Sequence, residues 1–139
     1  MPVTLRLARV TDADPGRGRV PARIYDILDA EGVAVGTIQL RLAPLEPLLR
    51  YGGQVGYEVA EAHRGQGHAC AALQALVPIA RAAGLESLWI TCRPDNIASR
   101  RTLERAGAAL EAMVTPPPGS DLHARGDRLM CRYRLALTP

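Results

Sequence analysis

A glycine-rich turn between an apolar run and an Ala/Leu-rich segment is the stretch of this sequence best suited to chemistry. The apolar run covers residues 54–60, and a segment of helical period begins at residue 68. The turn between them contains Arg64, Gly65, Gln66, Gly67, His68 and Ala69. A strand that enters a helix through such a turn gathers several backbone N–H groups and the positive end of the helix dipole at one point. The sequence therefore predicts an anion-binding site built mainly from main chain, with a fixed positive charge on Arg64. The alternative is a plain strand-to-helix turn that needs its glycines only for geometry.

The elements that must position this turn follow from alternating and helical apolar periods. Strands are predicted at residues 3–10, 22–28, 33–42, 54–60, 87–92, 108–114 and 129–137. Helices are predicted at residues 68–83 and 97–106, the second capped by Asn96. The strand–helix–strand segment from residue 54 to residue 92 predicts a right-handed crossover between two parallel strands. The predicted fold class is therefore α+β, or mixed α/β.

Composition restricts the class of protein. The 139 residues suit one domain, 1–139, and the formal charge of +3 is modest. The chain has no lysine, which excludes a lysine nucleophile or a P-loop lysine. No block of like charge indicates nucleic-acid binding, and no apolar run is long enough to span a bilayer. The three cysteines, Cys70, Cys92 and Cys131, are widely spaced, so neither a metal site nor a disulfide framework is predicted. We expect a cytoplasmic protein with reduced thiols.

Three segments of the sequence resemble the GNAT superfamily of N-acetyltransferases. Residues 64–69 fit that family's acetyl-CoA pattern Q/R-x-x-G-x-G/A, and they follow the strand segment G-Y-E-V at residues 56–59. The segment N-I-A-S-R-R-T-L-E-R-A-G at residues 96–107 is similar to the family's Asn-led helix after the fifth strand. The match spans roughly residues 33–114, and its form is closest to the branch that includes the ribosomal-protein N-terminal acetyltransferases.

The resemblance implies a central mixed, mostly antiparallel sheet of about seven strands with a parallel unit made by the fourth strand, the next helix and the fifth strand. It also implies that acetyl-CoA lies where these two strands diverge. Its pyrophosphate would bind the main chain of the turn at residues 64–69, and its pantetheine arm would run beside Val59. A strand N–H would then polarise the thioester carbonyl. Asn96 could reach the pantetheine arm as well as cap its helix. No metal is implied.

The candidate catalytic residues that follow from the resemblance are Glu58 and Ser99. Glu58 lies in the fourth strand beside the expected thioester, where it could act as a base toward the amine. It could equally be an outward-facing strand residue or the partner of an arginine. Tyr57 must face the opposite side of the strand, so at most one of the two readily faces the acceptor, and Glu58 loses its role if Tyr57 does. Ser99 could touch the cofactor sulfur or only form hydrogen bonds in the first turn of its helix.

The sequence departs from the family pattern in two places. Leu103 occupies the position where many relatives have a tyrosine that protonates the leaving thiolate, so Ser99, Tyr133 or solvent must serve. Residues 11–21 are too few for the two helices that usually cover the acceptor, so these N-terminal helices are expected to be missing. The acceptor side should then be open, or completed by another subunit or by the loop at residues 115–128. Candidate acceptor contacts in that loop, which could instead be solvated, are Asp121, His123 and Asp127.

We therefore expect transfer of an acetyl group from acetyl-CoA to a primary amine by direct attack in a ternary complex. The acceptor could be a small-molecule amine or a protein N-terminus, and an uncovered acceptor side is compatible with a homodimer. A non-catalytic acyl-CoA-binding or regulatory module is the alternative, because the usual acid and the acceptor cover are both missing. A nucleic-acid-binding protein with an arginine-rich surface is a third hypothesis, which the charge pattern does not favour.

Overall fold

A computed structural model describes residues 3–12, 21–42, 53–116, 118–119 and 121–137 of the chain. The strands within them are β1 (Thr4–Thr11), β2 (Ala22–Leu28), β3 (Ala34–Arg41), β4 (Val55–Val59), β5 (Ser87–Cys92), β6 (Ala109–Val114) and β7 (Met130–Ala136). The helices are α1 (His68–Ala82), α2 (Ile97–Arg105) and α3 (Asp121–Ala124), and one 3₁₀ turn covers Glu61–His63. The short helix α3 lies in a segment that the sequence predicts as loop.

The strands form two antiparallel sheets, and not the one mixed sheet that we expected. The first sheet has the order β1-β2-β3-β4, and the second has the order β5-β7-β6. A parallel ladder between β4 and β5 is not found among the described residues, so that part of the expectation is not confirmed. Both strands are sheet edges, because β4 pairs with β3 and β5 pairs with β7. The helix α1 connects these two edge strands along the chain.

Gln54 joins the two sheet edges at one point. Its backbone N–H donates to the carbonyl of Trp89 at 2.6 Å, and its side-chain Oε1 accepts from the Trp89 N–H at 3.0 Å. The preceding Gly53 has φ of 72°, and a Cβ there would lie 3.0 Å from the nitrogen of Thr91, so this close approach requires glycine. Beyond the junction, no β4–β5 hydrogen bond is present in the described part of the chain, and the strands leave a gap.

The strand register determines which main-chain groups face this gap. In an antiparallel pair, residues alternate between bonding to the partner strand and pointing away from it. The N–H of Ala60 donates to the carbonyl of Val35 at one end of the β3–β4 pairing, so the even-numbered residues of β4 bond to β3. The N–H and C=O groups of Tyr57 and Val59 therefore point away from β3, into the gap.

The buried residues of α1, α2 and both sheets form one hydrophobic cluster. The predicted apolar stripe of α1 is confirmed, because Leu73, Leu76 and Ala80 are buried and Val77 packs against the same cluster. In α2, Leu103 is fully buried. The core thus fixes the orientation of both helices against the strands that border the gap.

Element ends agree with the predicted ones within one residue. The strands β1 and β2 pair directly at Thr11 and Ala22, so the connection between them spans residues 12–21. Of the predicted loops, residues 13–20 and 43–52 lie outside the described residues. The expectation that the two N-terminal helices are missing therefore rests on the length of this connection.

We expect Gln54→Met to lower the free energy of unfolding by about 1–3 kcal/mol, because it leaves the Trp89 N–H without its acceptor while keeping the volume of the side chain. Urea unfolding monitored by circular dichroism measures this loss. The matched control is Gln39→Met on the half-buried position of β3, for which we expect a smaller loss. Equal stability of Gln54→Met and the unchanged protein would show that the backbone bond alone holds the two sheets together.

Candidate functional site

The gap between β4 and β5 opens into a cleft of about 820 Å³. Its lining comes from β4 on one side, β5 and α2 on the other, and the first turn of α1, with residues of the α3 region at the rim. Most of the predicted cofactor-binding residues line this cleft, namely Val59, Arg64, Gly65, Gly67, His68, Ala69 and Asn96. Gln66 is not part of the lining.

The start of α1 presents unsatisfied backbone donors to the cleft. Gly65 and Gly67 both have φ of 80°, a conformation that favours glycine, and Gly67 is the N-cap residue. No side chain caps this helix, and the first intrahelical bond runs from the Ala71 N–H to the Gly67 carbonyl. The N–H groups of residues 68–70 therefore have no partner within the helix. This arrangement suits an anionic group at the positive end of the helix.

His68 contributes an unpaired polar atom to the same wall. The residue is 3% exposed, and its Nε2 lies 3.1 Å from Oε1 of Gln66. Within the described residues, Nδ1 is buried without a hydrogen-bond partner. Buried polar atoms in folded proteins are almost always paired, so an orphan in a cleft wall favours a bound ligand that pairs with it.

Arg64 ties the turn to the end of β4. Its Nε donates to the carbonyl of Val59 at 2.8 Å, which engages one of the main-chain acceptors that point into the gap. Four more arginines line the cleft, namely Arg93, Arg101, Arg105 and Arg125. Arg93 forms an ion pair with Asp127 at 3.0 Å. Sequence reasoning missed these four side chains, although the spacing of Arg101 and Arg105 on α2 places them on one helix face.

A hydroxyl pair spans the cleft. The Tyr57 hydroxyl on β4 lies 2.7 Å from Oγ of Ser99 on α2. The N–H of Ser99 donates to Oδ1 of Asn96 at 3.1 Å, so Asn96 caps α2 as predicted. Burial raises the pKa of Tyr57, and therefore its phenol stays protonated at neutral pH.

Cys92 lies beside this pair but lacks the features of a nucleophile. It is 6% exposed, and it is paired in register with Cys131 of β7. Burial is the main reason that its pKa is raised to about 11. Because the thiolate is the reactive form, this thiol is inert near neutral pH, and Cys92 serves as a residue of the hydrophobic core.

Glu58 lies on the other face of the sheet. It is exposed, and it lines a second pocket of about 330 Å³ together with Ile24, Thr37 and Gln39. Both cavities share Gly56, Tyr57 and Glu58, so β4 is the wall between them. The alternation of the strand thus assigns Tyr57 to the α2 side and Glu58 to the side of the smaller pocket.

The other residues predicted to take part in catalysis or acceptor binding differ in whether they line the cleft. Tyr133 is fully buried, and its hydroxyl accepts from Nε of Arg100 at 3.2 Å and donates to Glu104 at 3.4 Å, outside the cleft lining. In the loop at residues 115–128, Asp127 lines the cleft and His123 does not, while Asp121 begins α3.

Neither a metal-binding cluster nor a membrane-spanning helix is found among the described residues. No group of three His, Cys, Asp or Glu side chains is arranged to hold a metal ion. None of the described helices combines the length and the apolar character needed to cross a membrane.

Solved structures with this fold include enzymes that use coenzyme A. The microcin C7 self-immunity acetyltransferase MccE, in complex with acetyl-CoA and AMP, is 19% identical with a TM-score of 0.63, over 83% of this chain and 61% of MccE. The ribosomal L7/L12 α-N-protein acetyltransferase RimL, joined to coenzyme A by a cysteine disulfide, is 25% identical with a TM-score of 0.64, over 87% of this chain and 64% of RimL. The spermidine N-acetyltransferase of Vibrio cholerae, in complex with CoA and spermine, is 15% identical with a TM-score of 0.62, over 84% of this chain and 66% of that enzyme.

These likenesses concern mainly the fold, since this chain spans less than two thirds of each of those three proteins. No curated protein sequence matches the chain significantly. The family model described as an acetyltransferase (GNAT) domain matches residues 4–109, from the first strand to the beginning of β6. Because this match covers well over half of the sequence and the cleft has the elements just described, the chain belongs to the GNAT acetyltransferase family.

Proposed function

We propose that this protein transfers an acetyl group from acetyl-CoA, held in the cleft, to a primary amine that approaches from the pocket beside Glu58. The observation that carries this proposal is the convergence of two main-chain features on one cleft. The uncapped start of α1 and the outward-facing edge of β4 both lie in its lining. The first suits a phosphate group, and the second suits an extended amide-bearing chain.

The pyrophosphate of acetyl-CoA fits the first turn of α1. The N–H groups of residues 68–70 would donate to its oxygens, and Arg64 would add positive charge at the same end of the cleft. The arginines of α2, Arg101 and Arg105, would favour the approach of a multiply charged anion. The orphaned Nδ1 of His68 would gain a partner.

The pantetheine arm fits the edge of β4. An extended chain with amide groups can add to an exposed strand edge by main-chain hydrogen bonds. The N–H and C=O groups of Tyr57 and Val59 would provide these bonds, although the Val59 carbonyl already accepts from Arg64. One strand N–H would polarise the thioester carbonyl as negative charge develops on its oxygen. Asn96 and Ser99 line the opposite wall, where Ser99 would contact the sulfur.

The acceptor fits the pocket on the face of Glu58. The carboxylate of Glu58 would attract the ammonium form of an amine and then take its proton. Thr37 and Gln39 would form hydrogen bonds with other polar groups of the acceptor. A pocket of about 330 Å³ has room for the reacting end of a molecule, so either a small amine or a protein N-terminus would fit. These are the acceptor classes named for spermidine N-acetyltransferase and RimL.

Binding of acetyl-CoA is tested by placing a negative charge at the start of α1. We expect Ala69→Asp to weaken acetyl-CoA binding by about ten- to a hundredfold, because a carboxylate at the second helical residue repels the phosphates. This size follows from Coulomb repulsion between the two charges with an effective dielectric constant of about 20. The same carboxylate interacts favourably with the helix dipole, so the unliganded variant should be no less stable than the unchanged protein. Titration calorimetry and the ligand-induced rise in melting temperature measure both effects.

The neutral isostere Ala69→Asn is the matched control, and we expect it to bind acetyl-CoA within about threefold of the unchanged protein. The difference between the two variants should shrink as salt is raised, because exposed charges are screened. Equal affinities of the Asp and Asn variants would place the phosphates somewhere other than the start of α1.

The role of Glu58 is tested by steady-state kinetics with polyamines, amino acids and short peptides as acceptors. We expect Glu58→Gln to reduce kcat by about 10²–10⁴-fold with little change in acetyl-CoA affinity, because it removes the base and keeps the shape of the side chain. Glu61→Gln, on the neighbouring exposed 3₁₀ turn, makes the same charge change and should leave kcat unaltered. An unchanged kcat in Glu58→Gln would remove Glu58 from the mechanism. Binding of acetyl-CoA without thiol release from any acceptor would favour the non-catalytic module.

A further inference from the structure

Breakdown of the thioester leaves negative charge on sulfur, which a hydroxyl in the cleft can stabilise by donating a hydrogen bond. Leu103, at the position where a tyrosine was expected, is fully buried and has no polar atom. Tyr133 is also fully buried, and Arg100 and Glu104 occupy its hydroxyl. Neither residue lines the cleft. The hydroxyl-bearing residues that do line it are Tyr57, Thr91, Ser99 and Thr102. The Thr102 hydroxyl donates to the carbonyl of Ala98, whereas those of Tyr57 and Ser99 face each other across the cleft.

Both members of this pair are held in place by contacts outside the pair. Tyr57 is opposite Ile38 in the β3–β4 register, and its ring packs against the hydrophobic cluster. Ser99 is fixed at the start of α2 by the bond from its N–H to Asn96. The 2.7 Å separation of the two oxygens bridges the cleft between β4 and α2, and each side chain is held on its own wall by these contacts.

The direction of the hydrogen bond between them decides what Ser99 can do. Each hydroxyl has one hydrogen, and only one of the two can be used between the oxygens. A phenol is the stronger donor of the two, and burial raises the pKa of Tyr57, so its hydrogen is present at neutral pH. The other titratable groups that face Tyr57 are the thiols of Cys92 on β5 and Cys70 on α1. If Tyr57 donates to Ser99, the hydrogen of Ser99 is left to bond a second acceptor, for which a ligand in the cleft competes with the neighbouring thiol of Cys92.

We propose that Tyr57 is a positioning residue that donates to Ser99 and thereby directs the Ser99 hydroxyl hydrogen at the leaving sulfur of acetyl-CoA. This inference rests on the function proposed above. The amine nitrogen bonds to the carbonyl carbon, the carbon–sulfur bond breaks, the sulfur keeps the electron pair of that bond, and the hydrogen bond from Oγ of Ser99 stabilises the thiolate. The proton lost by the attacking amine reaches the sulfur through solvent, so the products are an amide and a neutral thiol. A tyrosine on β4 thus replaces the missing one on α2.

The experiment measures the pKa of the thiol of bound coenzyme A, because a hydrogen bond to the thiolate lowers that value. Thiolate absorbance is followed against pH for coenzyme A in complex with the protein, and the spectrum of the complex with desulfo-coenzyme A is subtracted to remove protein thiols and tyrosines. We expect the thiol pKa to rise by about 1 in Tyr57→Phe, a roughly tenfold loss of thiolate at a given pH. Ser99→Ala should give the same rise, and the double variant no more than either.

Tyr25→Phe is the matched control, since Tyr25 is a buried core tyrosine away from the cleft, and it should leave the thiol pKa unaltered. Where an active acceptor is available, kcat should fall about tenfold in Tyr57→Phe and Ser99→Ala with unchanged KM for acetyl-CoA, a pattern that a loss of packing would not produce. Should Tyr57→Phe fail to fold, Ser99→Ala alone still tests whether the pair faces the sulfur.

The outcomes that contradict the inference differ in which role they overturn. A rise in Ser99→Ala but not in Tyr57→Phe would overturn the role of Tyr57, and a rise only in Tyr57→Phe would mean direct contact of the phenol with sulfur. An unchanged thiol pKa in both variants would mean that the pair does not face the sulfur. It would overturn the inference and the contact of Ser99 with sulfur, while leaving the proposed acetyl transfer from acetyl-CoA intact. No binding of coenzyme A to the unchanged protein would instead overturn the proposed function itself.

Discussion

The site depends on the way that Gln54 joins two sheet edges without merging them. A continuous ladder between β4 and β5 would satisfy the main-chain groups of both strands and would leave no space between them. The side-chain amide of Gln54 takes the place of a strand carbonyl at Trp89, so within the described residues hydrogen bonds hold the two sheet edges together at this one point. Beyond that point the edge of β4 has hydrogen-bonding capacity directed into a cleft. A ligand with an extended amide chain is the kind of molecule that can use it.

Local physics explains why so much of this fold could be predicted from sequence. Alternating and helical apolar periods depend on residues close in the chain, and they locate every strand and both longer helices within one residue of their observed ends. The turn before α1 could be predicted equally well, because Gly65 and Gly67 adopt the positive φ angles that such a turn requires. Asn96 was identified as the cap of α2 for the same reason, since capping involves only a neighbouring N–H group.

Non-local pairing explains most of what the sequence did not reveal. The division into two sheets depends on which strand edges meet, and Gln54 at the start of β4 carries no local signal that it would bond to Trp89. Alternation established that Tyr57 and Glu58 face opposite sides of β4, but it could not say which side holds α2. The pocket beside Glu58 and the arginines around the cleft arise from residues far apart in the chain, so only the folded structure brings them together.

Under the proposal for Tyr57 and Ser99, a leucine at position 103 does not deprive the cleft of a hydroxyl beside the sulfur. An aliphatic side chain there fills the core, where a phenol would need a buried partner for its hydroxyl. The cleft is narrow enough at this level for one hydrogen bond to connect β4 with α2. In such a cleft, a hydroxyl supplied from either wall reaches the same region of space. Under the proposal for Tyr57 and Ser99, the site requires a hydrogen-bond donor beside the sulfur, and the bond between these two hydroxyls determines the direction of that donor.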